Sequence, residues 1–494
     1  MELSRQLASP DLATVRAKFK QIWGYDDLRS PQGEIVQSLL AGRDALIIMP
    51  TGGGKSICFQ LPALMQTGLT LVISPLVALM ENQVQELRQK QLPAALLHSQ
   101  LPKEQRQKVL WALKQQRLRL LYLSPETLLS APVWEQLCQP ELPINSLILD
   151  EAHCLAQWGE TFRPAYYRLG TVRSALLQHK PAGSRIAIAA FTATADPVVQ
   201  QTIQRVLRLD DPQLFRLNPY RDNLHLAVQW VWTPRGRRQQ LLRFIRSHRQ
   251  QPGLVYVRTR SDSEELAVWL TTQGYQTAAY HAGLSANDRR QIEQRWLTDK
   301  LQFVVCTNAF GMGINKPNVR WIAHYQAPFM LSEYVQEIGR AGRDGQPAQA
   351  LTLVSEPTGW LDPTDRQRWQ FFADQLRSLQ TTAQKLAKKL PAQGAVAAIS
   401  QQFPEGAIAL SLLHSTGQLT WTDPFHYEIT PMSSTKTPID LNSTRPMSQY
   451  LHTRHCRWQV LLQAFGFGAE AQSLRCGHCD HCTTQPKKGP NQHR

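Results

Sequence analysis

Residues 45–56 of the chain, ALIIMPTGGGKS, decide the fold. Five apolar residues predict a buried strand, and the glycines after it lead into an apolar helical pattern that opens with Lys55 and Ser56. Glycine N–H groups can turn inward onto phosphate oxygens, and the amino end of a helix adds partial positive charge. A lysine reaches the outer phosphates and a serine can hold Mg²⁺. The stretch therefore predicts a nucleotide phosphate site made of Thr51, Gly52, Gly53, Gly54, Lys55 and Ser56, although the strict motif would place glycine where the chain has Met49.

Two adjacent carboxylates at the end of a later strand supply the second half of such a site. Asp150 and Glu151 follow the apolar run Leu147–Leu149, and His153 comes two residues after them. In phosphoryl transfer one carboxylate holds magnesium and another orients the attacking water. We assign Asp150 to the metal and Glu151 to the water. An acidic pair of this kind can also be only a helix cap, but the phosphate loop upstream favours catalysis.

Short β-rich runs alternate with helix-length segments from residue 45 to residue 354, giving five predicted strands in each half. Strands separated by helices predict parallel sheets that are covered on both faces, with ligands at the carboxyl ends of the strands. The fold class is therefore α/β, with two tandem parallel-sheet domains. The join is predicted at 210–224, where prolines and polar residues follow the last strand of the first set.

The pattern changes after residue 354. Residues 360–390 predict a long helix. Residues 395–402 and 405–415 predict two short helices and 418–430 predict a β-hairpin, so 392–430 could supply a winged helix with Pro424–Tyr427 in its hairpin. The predicted domains are 1–215, 216–355, a helical and winged-helix-like segment with a linker at 356–449, a metal-binding subdomain at 450–482 and a flexible basic tail at 483–494.

Four of the eight cysteines cluster near the carboxyl end of the chain: Cys456, Cys476, Cys479 and Cys482. A lone cysteine followed by two overlapping Cys-x-x-Cys steps suits a tetrahedral Zn²⁺ site. A mixed site that uses His478 or His481, and a set of unliganded core thiols, are the weaker alternatives.

The net charge of the 494-residue chain is +16, which favours a polyanionic partner such as nucleic acid. The apolar runs are too short for a transmembrane helix, and residues 1–10 lack a secretory apolar core. We therefore expect a cytoplasmic protein with no membrane partner.

The segment 336–345, QEIGRAGRDG, carries two arginines three residues apart. This spacing predicts that Arg340 and Arg343 share one face of a helix, from which they could stabilise charge on the transferred phosphate. Gln336 opens the same segment. The alternative is a solvated basic helix, but the glycines beside each arginine are poor helix formers.

The aromatic-rich segment 153–167 predicts a structured loop. Trp158 and Phe162 could stack on unpaired bases while Arg163 meets a phosphate. Alternatively the two aromatic side chains, four residues apart, pack inside the protein.

Together these residues resemble the RecQ family of superfamily-two helicases. The resemblance covers roughly residues 20–355 and 450–482. It is carried by Trp23-Gly24-Tyr25 with Arg29 and Gln32, by Thr51–Ser56 and Asp150–His153, by 191–195, 306–318 and 336–345, and by the cysteine cluster. In the position of Trp458 the family commonly has an arginine, and the chain ends twelve residues after Cys482, where longer members carry a further winged helix.

The resemblance implies two RecA-like domains and an ATP-, Mg²⁺- and Zn²⁺-dependent 3′ to 5′ DNA helicase of recombination and repair. It implies that Tyr25 and Arg29 sandwich adenine and that Gln32 hydrogen-bonds its edge. It also implies that Ser74, Thr307 and Asn308 contact the DNA backbone, and that the aromatic loop links DNA binding to hydrolysis. The expected partners are single-stranded DNA, tailed or forked duplexes and a single-stranded-DNA-binding protein, with nucleoid association if the source is bacterial.

Two other functions fit the same residues. An RNA-unwinding or remodelling ATPase would use the same core. A zinc-containing DNA-binding regulator would carry a vestigial ATPase, but the alternative is opposed by intact Lys55, Asp150, Glu151, Arg340 and Arg343.

Overall fold

The computed structural model describes residues 10–158, 163–310, 316–430 and 445–484. The chain divides into two compact units. The first unit contains Met1–Leu217 and Arg377–Ile439, and the second contains Asn218–Leu376 and Asp440–Arg494.

The first unit is built on a seven-stranded parallel sheet. Its strands are β1 (Ala45–Ile48), β2 (Leu69–Ile73), β3 (Ala94–Leu97), β4 (Leu120–Leu123), β5 (Ile144–Leu149), β6 (Ala187–Thr192) and β7 (Gln213–Arg216). They lie in the order β3-β4-β2-β5-β6-β1-β7. Alternate residues of β1 enter different cores, with Leu46 and Ile48 in one and Ala45 and Ile47 in the other. This two-residue period buries both faces, so the strand is apolar throughout.

Helices of the first unit supply those two covering layers. They are α1 (Leu12–Trp23), α2 (Gln32–Leu40), α3 (Lys55–Met65), α4 (Val77–Gln89), α5 (Lys103–Lys114), α6 (Pro125–Leu128), α7 (Ala131–Leu137), α8 (His153–Trp158), α9 (Ala165–Arg168), α10 (Val172–Leu177) and α11 (Pro197–Leu207). Side-chain caps fix several amino ends: the Asp11 carboxylate accepts from the Thr14 N–H, and the Asp196 carboxylate accepts from the Val199 N–H.

The second unit has a six-stranded parallel sheet in the order β10-β11-β9-β12-β13-β8. Its elements are β8 (Leu224–Val231), α12 (Pro234–Ser247), β9 (Gly253–Tyr256), α13 (Arg260–Thr272), β10 (Thr277–Tyr280), α14 (Ala286–Leu297), β11 (Phe303–Cys306), β12 (Trp321–His324), α15 (Leu331–Ile338) and β13 (Ala348–Ser355). Strands β8 and β13 pair over eight residues: Leu224 pairs with Ala348 at one end and Val231 pairs with Ser355 at the other.

Five strands in each half was an underestimate, because β3, β7 and β8 escape prediction. Strand β7 and the start of β8 fall in the stretch predicted as the join. Strand β7 is an edge strand whose side chains alternate between half-buried and exposed, so it lacks an apolar run. The fold class itself, two parallel α/β sheets followed by a helical region and a cysteine cluster, is confirmed.

A winged-helix-like module follows the second sheet and belongs to the first unit. The chain passes from the second unit into the first within α16 (Thr364–Ala387). The module then contains β14 (Gln393–Ala395), α17 (Val396–Gln402), α18 (Gly406–Ser415), β15 (Leu419–Trp421) and β16 (His426–Ile429), with sheet order β14-β16-β15. Its apolar side chains, including Leu410, Leu413 and Trp421, join one core of the seven-stranded sheet.

The carboxyl-terminal helices share a core with the second sheet. They are α19 (Arg445–His452), α20 (Arg457–Ala464), α21 (Gly468–Gln472) and α22 (Asp480–Thr484). Buried Tyr450, Trp458 and Leu461 lie in the same cluster as Leu224 and Leu226 of β8. Among the described residues, no helix is long and apolar enough to span a membrane.

Candidate functional site

The predicted phosphate loop connects β1 to α3. Gly52 and Gly54 have φ values of 86° and 77°, in the left-handed region that glycine adopts without steric cost. Helix α3 begins at Lys55 directly after Gly54. The loop thus places backbone N–H groups and a helix amino end around one point, as phosphate binding requires.

Gln32 holds the phosphate loop from the side. Its side-chain amide donates to the Gly53 carbonyl at 2.8 Å and accepts from the Arg29 N–H at 2.9 Å. A Cβ atom on Gly54 would lie 2.4 Å from the Gln32 amide nitrogen, so only glycine fits there without displacing it. Beside this buried amide, the Tyr25 side chain is 62% exposed and Arg29 is also exposed. An aromatic ring and a guanidinium are therefore available next to the loop.

Asp150 and Glu151 lie at the carboxyl end of β5 and meet the loop. Lys55 Nζ lies 3.4 Å from Glu151 Oε1. The Asp150 carboxylate accepts from the Gln83 amide at 3.3 Å and from the Glu151 N–H at 3.0 Å. Burial and the adjacent Glu151 carboxylate raise the pKa of Asp150 to about 6. A cation placed beside Asp150 would remove that cost, which fits the donor set of a magnesium site.

The Glu151 backbone is strained, with φ at 51°. A non-glycine residue in this region costs of order 1–3 kcal/mol and persists where the surroundings enforce it. Here the Ala152 N–H donates to the Phe191 carbonyl at 2.8 Å and the Asp150 N–H donates to the Ile73 carbonyl at 2.8 Å. The strain is consistent with a functional position.

His153 connects the acidic pair to the end of β6. Its Nδ1 lies 3.0 Å from the Thr192 hydroxyl and 3.3 Å from Glu151 Oε2. Burial lowers the pKa of His153, which favours the neutral ring. The Thr192 hydroxyl also donates to the Thr194 carbonyl at 3.0 Å. Residues 191–195 are thereby linked to Glu151 through one imidazole.

The aromatic-rich segment is described only in part. Trp158 ends α8, but its side chain lies outside the described part of the chain, as does Phe162. Arg163 lies 3.8 Å from Glu126 in an ion pair. Tyr166 and Tyr167 are buried in the core of the first unit, so these two aromatics anchor the segment.

The winged-helix-like module packs against this same anchor. Ser411 Oγ of α18 donates to the Pro164 carbonyl at 3.4 Å, and the His414 ring meets the Tyr167 ring edge-on at a centroid distance of 5.2 Å. At the hairpin, the Phe425 ring packs edge-on against Trp134 at 5.2 Å. The tip of the hairpin is therefore anchored on the first unit.

Arg340 and Arg343 lie in the second unit, but not on a helix. Helix α15 ends at Ile338, and both arginines follow in a turn. The prediction of a shared helix face was wrong because Gly339 caps the helix and Gly342 takes a φ of 55°. Arg340 is buried, Arg343 is half-buried, and Gln336 lies on α15.

Two residues from before β8 hold this arginine turn in shape. The Arg221 guanidinium donates to the carbonyls of Ala341, at 2.8 Å, and Gly342. The Asn223 amide donates to the Gly342 carbonyl at 2.9 Å and the Gln346 carbonyl at 2.8 Å. A Cβ on Gly342 would lie 2.7 Å from that amide nitrogen, so the turn requires glycine.

A buried ion pair lies under the same segment. Arg258 Nη2 donates to both carboxylate oxygens of Glu337, at 2.8 and 3.1 Å. His324 Nε2 lies 3.0 Å from Glu337 Oε2. Burial alone would raise the pKa of Glu337, but Arg258 and then His324 hold it at about 2. Both ion-pair partners are thus charged at neutral pH.

The predicted backbone-contacting residues lie at the carboxyl ends of strands. Ser74 follows β2 and is buried, Thr307 follows β11 and is buried, and Asn308 beside it is exposed. Ser74 belongs to the first unit and the other two to the second.

The four clustered cysteines converge as predicted. Their sulfur atoms lie within 4.8 Å of one another, with Cys456 and Cys479 Sγ 4.0 Å apart and Cys476 and Cys482 Sγ 3.9 Å apart. Four Zn–S bonds of about 2.3 Å in a tetrahedron place the sulfurs about 3.8 Å apart, so the group fits Zn²⁺. His478 instead lies 3.3 Å from the Tyr220 hydroxyl.

Polar groups attach the cysteine cluster to β8. The Arg457 guanidinium donates to Asp480, with Nη2 2.9 Å from Oδ2, and that oxygen also accepts from the Val228 N–H at 2.9 Å. The Trp458 indole donates to the Leu224 carbonyl at 3.1 Å. Trp458, which stands where the RecQ family commonly has an arginine, thus helps to attach the cysteine cluster to β8.

Sequence reasoning missed Gln83, Arg221, Asn223, Arg258 and His324. Each acts on a residue at least 13 positions away, and the contact between Gln83 and Asp150 spans 67 positions. A single sequence carries no local signal for such pairs. Glu337 was within the quoted arginine segment, and its charge inside an apolar helical pattern was a usable sign of a buried ion pair.

Comparison with known proteins agrees with this geometry. Residues 29–202 match the DEAD/DEAH box helicase family, 236–345 match the helicase conserved C-terminal domain, and 427–483 match the RecQ zinc-binding family. In solved structures, yeast Dbp5 bound to RNA and ADP BeF3 has a TM-score of 0.56 at 16% identity, covering 73% of this chain and 91% of that one. The helicase MrfA bound to DNA has a TM-score of 0.58 at 19% identity, covering 70% of this chain and 52% of that one. At such identities these structures show the shared fold.

Full-length relatives are more informative. The ATP-dependent DNA helicase RecQ of Synechocystis sp. is 53% identical over 474 residues, which are 96% of this chain and 98% of that protein. The RecQ helicase of Haemophilus influenzae is 39% identical over 98% of this chain, which spans 66% of that protein. The chain belongs to the RecQ family of ATP-dependent DNA helicases.

Proposed function

We propose that this enzyme couples ATP hydrolysis to movement along one DNA strand in the 3′ to 5′ direction, and that it unwinds duplexes in recombination and repair. The observation that carries the proposal is the cluster of Lys55, Glu151 and Asp150 beside the phosphate loop. A buried ammonium 3.4 Å from a buried carboxylate, next to a second carboxylate of raised pKa, is costly in a resting protein. It is useful when a triphosphate and a cation enter.

The first unit would bind the nucleotide. Tyr25 and Arg29 would stack on adenine and Gln32 would read its edge, while Thr51 to Gly54 donate backbone N–H groups to phosphate oxygens. Lys55 would reach the outer phosphates. Ser56 and Asp150 would hold Mg²⁺, which when bound neutralises phosphate charge. The nine-tenths buried Glu151 side chain would orient the attacking water.

Residues of the second unit would stabilise the charge of the transition state. We assign Gln336, Arg340 and Arg343 to the charge that develops on the transferred phosphate. The support for the two arginines is the shaping of the turn that carries them, because Arg221 and Asn223 donate to its carbonyls. Preorganised cations cost little rearrangement when the reaction occurs.

Coupling to DNA would pass through His153. This imidazole touches both Glu151 and Thr192, and His153 is the first residue of the aromatic-rich segment. Trp158 and Phe162 would stack on unpaired bases and Arg163 would meet a phosphate, releasing Glu126. Ser74, Thr307 and Asn308 would contact the strand backbone without reading its sequence.

The test is ATP hydrolysis and unwinding with matched substrates. Wild type and Glu151→Gln are compared on duplexes with a 3′ tail, a 5′ tail and no tail, with RNA counterparts of each. The proposal predicts strand-stimulated hydrolysis and unwinding of the 3′-tailed DNA alone, both lost in the variant. Equal unwinding of 5′-tailed DNA would disprove the polarity, and preferential unwinding of RNA would favour an RNA-remodelling ATPase.

A further inference from the structure

Two tryptophans of the second unit stand unusually far out of the surface. The Trp232 side chain is 61% exposed and Trp360 is 87% exposed. Trp232 follows the last residue of β8, and Trp360 lies in the loop after β13. Because β8 and β13 are neighbouring parallel strands, both tryptophans leave the sheet at the same corner.

Hydrogen bonds hold the backbone that carries the two tryptophans. The Glu356 N–H donates to the Val231 carbonyl at 2.9 Å, which joins the two strand ends. The buried Glu356 carboxylate then accepts from the N–H groups of Thr358, at 2.7 Å, Trp360, and Leu361, at 3.0 Å. The Glu356 carboxylate thus holds the backbone of the loop, from which the exposed Trp360 ring projects into solvent.

The acidic groups of this corner are buried, whereas its basic groups are exposed. Asp362 and Asp365 are both neutralised by the buried Arg237, at 2.9 and 3.0 Å from its Nη2. Arg235, in the first turn of α12, and Arg366, whose guanidinium reaches the Thr358 carbonyl at 3.4 Å, are exposed. The surface that remains is therefore aromatic and positively charged.

This corner lies at the same edge of the sheet as the proposed DNA contacts Thr307 and Asn308. All six strands are parallel, so Thr307 after β11 and the two tryptophans share the carboxyl edge. β13 and β8 are the third and fourth strands from β11 in the sheet, about 14 and 19 Å away at the usual spacing. Cys306, the last residue of β11, is in register with Val228 of β8, and the pairing of β8 with β13 continues for three more residues. The corner therefore projects about 10 Å beyond the end of β11.

We propose that Trp232 and Trp360 form an additional binding site for unpaired DNA, with bases stacked on the rings and phosphates met by Arg235 and Arg366. Fixed aromatic rings beside arginines are the usual means of holding a single strand without reading its sequence. The site rests on the proposed movement along one strand, and it lengthens the strand path beyond Thr307 and Asn308. A protein partner could also use tryptophan and arginine, but the burial of every nearby carboxylate named above favours a polyanion.

The experiment measures binding of oligothymidylates of increasing length to wild type, to Trp232→Ala, to Trp360→Ala and to the double variant. Short strands that are held by the core should bind equally to all four proteins. Long strands should bind each single variant about five- to tenfold more weakly and the double variant still more weakly. Arg235→Gln should lower the slope of log affinity against log salt by about one.

Trp111→Ala is the matched control. Trp111 is 53% exposed on α5 of the first unit, with the Arg117 guanidinium 4.7 Å from its ring centroid, and should bind strands of every length like wild type. Unchanged thermal unfolding of the surface variants checks their fold.

Wild-type affinity of the double variant for every length would overturn the site and favour a protein partner. An equal loss at all lengths would also overturn it, because the site would then not extend the path. Either result leaves the proposed motor intact if wild type unwinds tailed DNA, whereas a wild type that fails to unwind disproves the motor.

Discussion

Lys55 Nζ lies 3.4 Å from Glu151 Oε1, and the two side chains are 11% and 10% exposed. Glu151 thus neutralises Lys55, the lysine that we propose binds phosphate, before a nucleotide arrives. In the proposed mechanism a triphosphate would compete with Glu151 for Lys55. Binding of the triphosphate would then allow the Glu151 carboxylate to orient water.

Removing the charge of Glu151 should therefore separate binding from hydrolysis. Glu151→Gln is expected to bind ATP as tightly as wild type or several-fold more tightly, because Lys55 no longer pairs with the Glu151 carboxylate. Its kcat should fall by about 10²- to 10⁴-fold. Nucleotide titration and steady-state hydrolysis measure the two effects, with Lys55→Ala as the variant that loses binding. A Glu151→Gln protein that hydrolyses ATP at the normal rate would refute the assignment.

Asp150 should make the nucleotide-free protein less stable as pH rises. Its pKa is raised from 3.8 to about 6, so the native state holds more protons than the unfolded state between these values. Stability from this group is present below pH 3.8 and is lost as pH rises through 6. Asp150→Asn should then stabilise the nucleotide-free protein by about 1–3 kcal/mol at pH 7 while abolishing hydrolysis. Urea unfolding of wild type and variant at pH 5 and pH 7 measures the difference in their unfolding free energies. A variant that is equally destabilised at both pH values would contradict the claim that burial raises the pKa of Asp150.

Breaking the ion pair between Arg258 and Glu337 should unfold the second unit more easily. Glu337→Gln leaves the buried Arg258 guanidinium without its carboxylate, which typically costs about 3–5 kcal/mol. Glu333→Gln is the matched control, because Glu333 lies 3.9 Å from Arg258 and its side chain is 26% exposed. Thermal unfolding should show a clear loss for the first variant and a small one for the second. Similar losses for both would mean that the bidentate geometry has no special value.

Loss of zinc should weaken the second unit as a whole. The cysteine cluster shares a core with β8, so Cys479→Ser is expected to lose the metal and to lower the unfolding temperature of the sheet as well. Metal analysis combined with thermal unfolding checks both parts. Cys138→Ser, a half-buried thiol of the first unit, should keep the metal and unfold like wild type. A zinc-free protein with normal unfolding would show that the six-stranded sheet is stable without the metal-bound cysteine cluster.

The hairpin of the winged-helix-like module should act through stability. Phe425→Ala removes the ring that packs on Trp134 and should destabilise the first unit by about 1–3 kcal/mol. His426→Ala removes only an exposed pairing with Asp423, at 2.9 Å, and should change stability by less than about 1 kcal/mol. Chemical unfolding distinguishes them. If His426→Ala instead abolished unwinding with stability intact, the hairpin would be a strand-separating device.

Local patterns of the sequence were enough for the fold class and for the groups that gather at strand ends. The apolar run 45–49 and the glycines after it fixed the phosphate loop, and Leu147–Leu149 fixed the position of Asp150. Prediction failed where the signal was weak, as in the alternating edge strand β7. It also failed where glycine changed the backbone, as in the turn that carries Arg340 and Arg343.

Contacts between distant positions could not be read from one sequence. The burial of the Phe425 ring against Trp134 depends on how the module packs, and periodicity within 418–430 does not report it. The same holds for the hydrogen bonds from Arg221 to the arginine turn.

The packing of Phe425 bears on how the enzyme opens base pairs. A ring held against Trp134 cannot also insert at the junction of a fork, so Phe425 in its observed position is no wedge. If opening then relies on spontaneous fraying of the terminal pairs, each extra G·C step slows progress, since stacking costs about 0.6–2.2 kcal/mol per step. Speed would depend strongly on base composition, as in a passive motor that captures each melted nucleotide.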